Sequence, residues 1–166
     1  MKRLISVLLT ALFFVGVAAA QSASIKAGDL KQLEGAQWKG TLTYLDYGRN
    51  KKISIPSNLS VTRDAAGAAS WTFDYQYPDE PQANDKERIT LGEGGKTLND
   101  ETVVERTTLP NKTLRIVTQR RGMDNDKPAL LRYIYLLSPT SFNLRKEVRP
   151  DGATEFFERN EYAWTR

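Results

Sequence analysis

Gly35-Ala36-Gln37-Trp38-Lys39-Gly40-Thr41-Leu42-Thr43-Tyr44-Leu45-Asp46-Tyr47 sets Trp38, Gly40, Leu42 and Tyr44 at one parity and Lys39, Thr41 and Thr43 at the other. A period of two is the mark of a strand with one face buried and one in water. A large apolar ring at the start of a first strand suits the sealing of one end of a closed barrel, so Trp38 is assigned to structure. Tyr44 lies six residues on, about 20 Å at the rise of an extended chain, and looks toward the other end.

Downstream the same period recurs. Ile53, Ile55, Leu59 and Val61 share a parity, with Pro56 on the outward register, where it marks a kink or an edge. After the turn at Ala65-Ala66-Gly67, Trp71, Phe73, Tyr75 and Tyr77 make an aromatic wall, alternating with Thr72, Asp74 and Gln76. A loop over 78–85 leads to a short strand with Ile89 and Leu91, and Gly92-Glu93-Gly94-Gly95 turns it back. Lys96 to Thr108 reads as one strand bulged at Asn99-Asp100, followed by a strand with Leu114, Ile116 and Thr118 and a sizeable loop from Arg120 to Pro128.

Leu130 to Leu137 is apolar on both faces apart from Arg132, as expected of a strand covered on both sides or set against a second copy of the chain. Phe142, Leu144, Lys146 and Val148 then pass through the Pro150-Asp151-Gly152 turn into Phe156, Glu158, Asn160, Tyr162 and Trp164. Short strands throughout, with no alternation of strand and helix, predict an all-β fold: a single up-and-down antiparallel barrel of about eight to ten strands.

Upstream, Asp29 and Gly35 bracket a short helix over Leu30–Glu34 that covers the barrel end near Trp38. Residues 21–28 are small and polar, a flexible mature N-terminus. Residues 1–20 read as a signal peptide, with Lys2 and Arg3, an apolar run from Leu4 to Val17, and Ala18-Ala19-Ala20 before the cleavage site. The barrel domain spans 29–166. The chain is expected to be exported, periplasmic or extracellular, with no membrane insertion after cleavage.

Loss of that segment removes Lys2 and Arg3 and no acid, so the formal net charge falls from +4 to +2, which gives no support for a nucleic-acid partner. With Cys 0 the core holds the fold without disulfides, and with His 0 the commonest general base and metal ligand is missing. No cofactor motif is present. Asp124-Asn125-Asp126 and Asp79-Glu80 lack the alternating spacing of a calcium loop and read as turns.

The candidate site is the barrel interior: Tyr44, Trp71, Phe73, Tyr75, Arg132, Lys146, Glu158 and Asn160. Lys146 and Glu158 lie on the two arms of one hairpin at one parity, either paired inside or reaching water near a rim. Arg132 either anchors an anion in the cavity or faces solvent. The aromatic wall stacks a flat ligand or is simply core. There is no nucleophile motif and no phosphate loop, so an enzyme would have to work through carboxylates such as Glu158.

The layout resembles the calycin superfamily, in particular lipocalin-like barrels: a signal peptide, a short helix, Gly35 and Trp38 opening the first strand, a strand meander and an aromatic-rich last strand. The glycine stands three residues before the tryptophan where the lipocalin pattern has two. The resemblance implies a late arginine against the tryptophan, with Arg159 and Arg166 as candidates, and a carrier of a small, largely apolar or aromatic ligand. Trp38-Lys39-Gly40-Thr41 is also similar to small haem-binding barrels of the nitrobindin type, whose function does not carry over without a histidine. The alternative expectation is an envelope protein–protein interaction module with a filled core and no ligand, with Leu130 to Leu137 as the surface through which a homodimer would form.

Overall fold

The computed structural model describes residues 23–35 and 37–166; the expected signal peptide lies outside them. Ten strands form one antiparallel sheet: β1 Gln37–Asp46, β2 Lys51–Arg63, β3 Ser70–Gln76, β4 Asp85–Thr90, β5 Thr97–Leu98, β6 Glu101–Thr108, β7 Leu114–Asp124, β8 Lys127–Leu137, β9 Ser141–Pro150 and β10 Phe157–Thr165. Their order is β4-β3-β2-β1-β10-β9-β8-β7-β6-β5, so the first strand pairs with the last and the sheet curls into a nearly closed up-and-down barrel. The remaining join is short: a bridge between Leu91 and Leu98, with Gly92 N–H on Thr97 O at 3.0 Å and Asn99 N–H on Thr90 O at 2.7 Å.

One end is filled. Trp38, Leu59, Val61, Trp71, Phe73, Ile89, Leu98, Val103, Ile116, Leu137, Phe142 and Trp164 are all buried there. The helix α1, Ala27–Lys31, and the turn after it press Leu30 and Leu33 onto this core, and Leu33 O accepts the Trp38 indole N–H at 3.1 Å. The helix starts earlier than the sequence implies. Asp29 sits at its third position and accepts the Lys26 N–H at 2.8 Å, closing the first turn from inside rather than capping it. Ile25 is buried and donates its N–H to Gly95 O at 3.0 Å, so this part of the expected flexible segment is docked. Gly95 has φ +69°, and a Cβ there would run into the Ile25 backbone. Arg166 lies over the Trp38 ring, 4.7 Å from its centroid, whereas Arg159 is at the other end of the barrel.

Three local readings change. Asn99-Asp100 is a hairpin turn between β5 and β6 and not a bulge within one strand, with Asn99 at φ +54°. The loop expected over 120–128 is two long strands joined at Asn125 and Asp126, both with positive φ (47° and 60°), the backbone that matches strand twist in a tight hairpin. The third is in β10, where the pairing with β9 slips between Glu158 and Asn160, leaving Arg159 as an extra residue.

Candidate functional site

The period-two reading places the interior side chains, and the bulge edits it. Before the slip Phe157 pairs with Val148 and Glu158 with Glu147; after it Asn160 pairs with Lys146 and Tyr162 with Leu144. Lys146, Asn160 and Tyr162 therefore face inward. Glu158 faces outward, where it pairs with Lys52 at 2.6 Å and Arg145 at 3.4 Å. The expected Lys146–Glu158 pair does not form, because one inserted residue moves the two to opposite sides of the wall. An acid–base couple built on them is thereby removed. Arg132 also faces outward, bound to Glu147 and stacked 3.8 Å from the centroid of the Phe156 ring.

Trp71 and Phe73 belong to the filled end. Trp71 is fully buried and gives its indole N–H to Glu34 Oε1 at 2.8 Å, and Phe73 meets Phe142 edge-on at 6.4 Å. Above them a column of rings rises from Phe142 through Trp164 (5.2 Å) and Tyr162 (4.7 Å) to Tyr75 (5.5 Å from Tyr162). Where that column ends, the interior is open.

Two adjoining chambers of about 180 Å³ each share Tyr75, Glu87, Tyr133 and Leu144 as walls. One is completed by Tyr77, Asp85, Lys146, Asn160 and Tyr162. The other reaches Phe73, Ile89, Glu101, Arg120 and Tyr135, and passes out between Asn99, Asp100 and the edge of β4. A third hollow of about 320 Å³ shares Tyr77 and Asn160 with the first and takes in Leu42, Tyr44, Ile55 and Arg159. Tyr44, Tyr75, Lys146 and Asn160 thus line the space expected of them, and Phe73 forms part of its floor.

The side opening follows from strand length. β5 has two residues and turns back at Asn99-Asp100, so β6 begins pairing with β7 only at Thr102–Gln119. Beyond that point β7 from Arg120 to Asp124 and β4 from Asp85 to Ile89 lie unpaired on their facing edges, and a slot enters the barrel between them. Arg120 crosses its base to Asp100 at 3.7 Å.

Five of the polar groups here were not among the expected site residues: Asp85, Glu87, Glu101, Tyr133 and Tyr162. A signal existed. Asp85 and Glu87 share the parity of Ile89, and Glu101 that of Val103, so alternation alone points them inward. Burial pushes the Glu101 carboxyl up to about 7, against the Thr118 hydroxyl bond and the charge of Arg120. Tyr135 adds its hydroxyl at 3.4 Å. Glu87 is raised as well, by desolvation first and then by Asp85. Tyr162, bonded to the Tyr77 hydroxyl at 2.6 Å, is held far above the ordinary phenol range, mainly by burial.

At the rim, Asp124 gathers three partners: Tyr47 OH at 2.5 Å, Lys146 Nζ at 3.1 Å and Arg159 Nε at 3.7 Å. Arg159 also donates to Leu45 O and lies over the Tyr47 ring. Burial and the Asp124 carboxylate push the Tyr47 phenol up to about 12. Among the described residues no group of three or more acids is arranged to hold a metal ion. No family model matches the chain, and no curated protein matches it.

Proposed function

We propose that the chain is an exported binding protein that takes a small, largely apolar or aromatic molecule into the half of the barrel away from Trp38. Export rests on the sequence of residues 1–20. The observation that carries the binding reading is the contrast between the two halves: one packed by buried rings, the other hollow and walled by Tyr75, Tyr77, Tyr133 and Tyr162. A barrel of this size can be filled entirely by its own side chains. Here the aromatic column stops short and leaves ring faces and hydroxyls toward a space with a side entrance, the apolar wall with a few polar groups that small-molecule sites share. The Arg166–Trp38 contact at the sealed end supports the likeness to lipocalin-like barrels.

The test is native mass spectrometry of protein purified from its own compartment, with Leu144→Trp as the control. Leu144 lines both inner chambers, so a ring there occupies the space. A retained mass present in the wild type and absent from a folded Leu144→Trp variant is the expected result. Bare protein in both, with no uptake of aromatic probes, would overturn the reading. It would favour the interaction module, with the strand from Leu130 to Leu137 as its expected interface. The same spectrum reports whether the chain is a monomer or a dimer.

A further inference from the structure

β4 alternates charge with position. Lys86 and Arg88 point outward and are satisfied there, Lys86 by Asp74 at 3.0 Å and Arg88 by Asp64 at 2.7 Å. Asp85 and Glu87 point inward, opposite Tyr75 and Phe73 in the register. Among the described residues neither has an ion pair: Asp85 Oδ1 accepts the Lys86 N–H at 2.8 Å, and Glu87 Oε1 takes a long bond of 3.5 Å from Asn99. The cations that reach the same space are already engaged. Lys146 is on Asp124, Arg159 is on Asp124 and Leu45 O, and Arg120 is on Asp100.

Both residues are exposed at the slot and share one face of the edge strand, so a cation bound between them would relieve the repulsion of two like charges. Tyr75, Tyr77, Tyr133 and Tyr162 line the same space, and a cation over an aromatic ring gains about 0.5–2 kcal/mol per contact. On the strength of the uptake reading above, we propose that the crevice selects an organic cation, an ammonium group carried on a small aromatic or apolar body, with the ammonium at Asp85 and Glu87 and the body among the tyrosines. The raised carboxyl of Glu87 is consistent with a site awaiting positive charge. Inward charges on an edge strand also guard against edge-to-edge pairing, a role indifferent to what lies inside.

The experiment compares three probes with one phenyl body: phenethylamine, neutral phenylpropanol and anionic phenylpropanoate. Each is titrated at mildly alkaline pH into the wild type and into Asp85→Asn/Glu87→Gln, following backbone amide shifts. The expected result is a wild-type preference for the amine over the alcohol of about tenfold or more, with shifts centred on Tyr75, Glu87 and Tyr133. In the double variant the preference collapses toward parity while phenylpropanol binds as before. The wild-type ranking decides the proposal even if the variant fails to fold. Equal binding of all three probes, or a preference that survives in the variant, overturns cation selection and leaves uptake standing. Tightest binding of phenylpropanoate overturns it in favour of Lys146 and Arg159. No binding of any probe removes both readings.

Discussion

Glu101→Gln is expected to reverse its effect on stability across neutral pH. Glu101 opens β6 facing inward, 9 % exposed, and accepts hydrogen bonds from Thr118 and Tyr135. Burial moves its carboxyl from the ordinary 4.5 to about 7. The unfolded chain therefore releases this proton near the lower value, while the folded chain keeps it until the higher one. Between the two the unfolded state binds fewer protons, so the free energy of unfolding falls as pH rises, by about 1.4 kcal/mol per pH unit and about 3 kcal/mol in all. The window is clean, because the chain has no histidine. Asp29, Asp64 and Glu105 are held low and act at more acidic pH in the opposite sense, and Glu87, whose charge also raises Glu101, is present in both proteins. Glutamine keeps the acceptor oxygen and cannot ionise. Urea unfolding of both proteins should show the variant equal to or slightly below the wild type near pH 5. It should be more stable by about 2–3 kcal/mol near pH 8, on the order of 10 °C in Tm for a domain of this size. Parallel curves across the window would refute the claim that Glu101 is folded in its protonated form.

Three further substitutions probe other levels of the fold. Trp38→Ala removes a fully buried ring, its bond to Leu33 O and the seat of Arg166, and should cost about 3–5 kcal/mol in urea unfolding. Gly95→Ala meets both a positive φ and the Ile25 backbone. It should cost about 1–3 kcal/mol and, in hydrogen exchange, lose protection at the Ile25 amide while mid-strand amides of β8 stay protected. Lys52→Ala breaks an outer ion pair with Glu158 whose lysine side chain is 58 % exposed, so the change should stay within about 0.5 kcal/mol. A loss near that of Trp38→Ala would mean that the outer charges hold the barrel shut.

The strand meander was legible wherever one face alternates cleanly, as in Trp71 to Tyr77, because the side-chain period follows from backbone geometry alone. The helix at the sealed end was legible from Asp29 and Gly35, though it starts earlier, and of the two arginines expected near Trp38 only Arg166 reaches it. What failed was counting across irregularities. Parity carried from Trp164 back to Glu158 crosses the extra Arg159 and comes out reversed, and no residue there announces a bulge as a glycine would. Arg132 was ambiguous for another reason: its strand is apolar on both faces, so alternation carries no information, and only the register with Glu147 shows which side it takes. Asp85 was lost by extending the loop over 78–85 to it, and Glu87 by not following the parity of Ile89 back along the short strand.

The hollow half and its entrance have one origin. Had β5 continued beyond Leu98, it would have paired along β4, closed the slot and brought another row of side chains inside. Instead the chain turns at Asn99 and Asp100, and the edges left open on β4 and β7 point charge both ways: Lys86 and Arg88 outward, Asp85 and Glu87 inward. The Arg159 bulge acts on the opposite wall. By turning Glu158 out to Lys52 and Arg145, it keeps a further carboxylate from the interior, while Asn160, a neutral amide, faces in beside Lys146. Asp85 and Glu87 therefore stand together on the β4 side of the crevice, while Lys146 and Arg159 sit across it, held by Asp124. A polarity so divided would orient a charged guest, whereas a uniformly tyrosine-lined cavity would accept one in any direction.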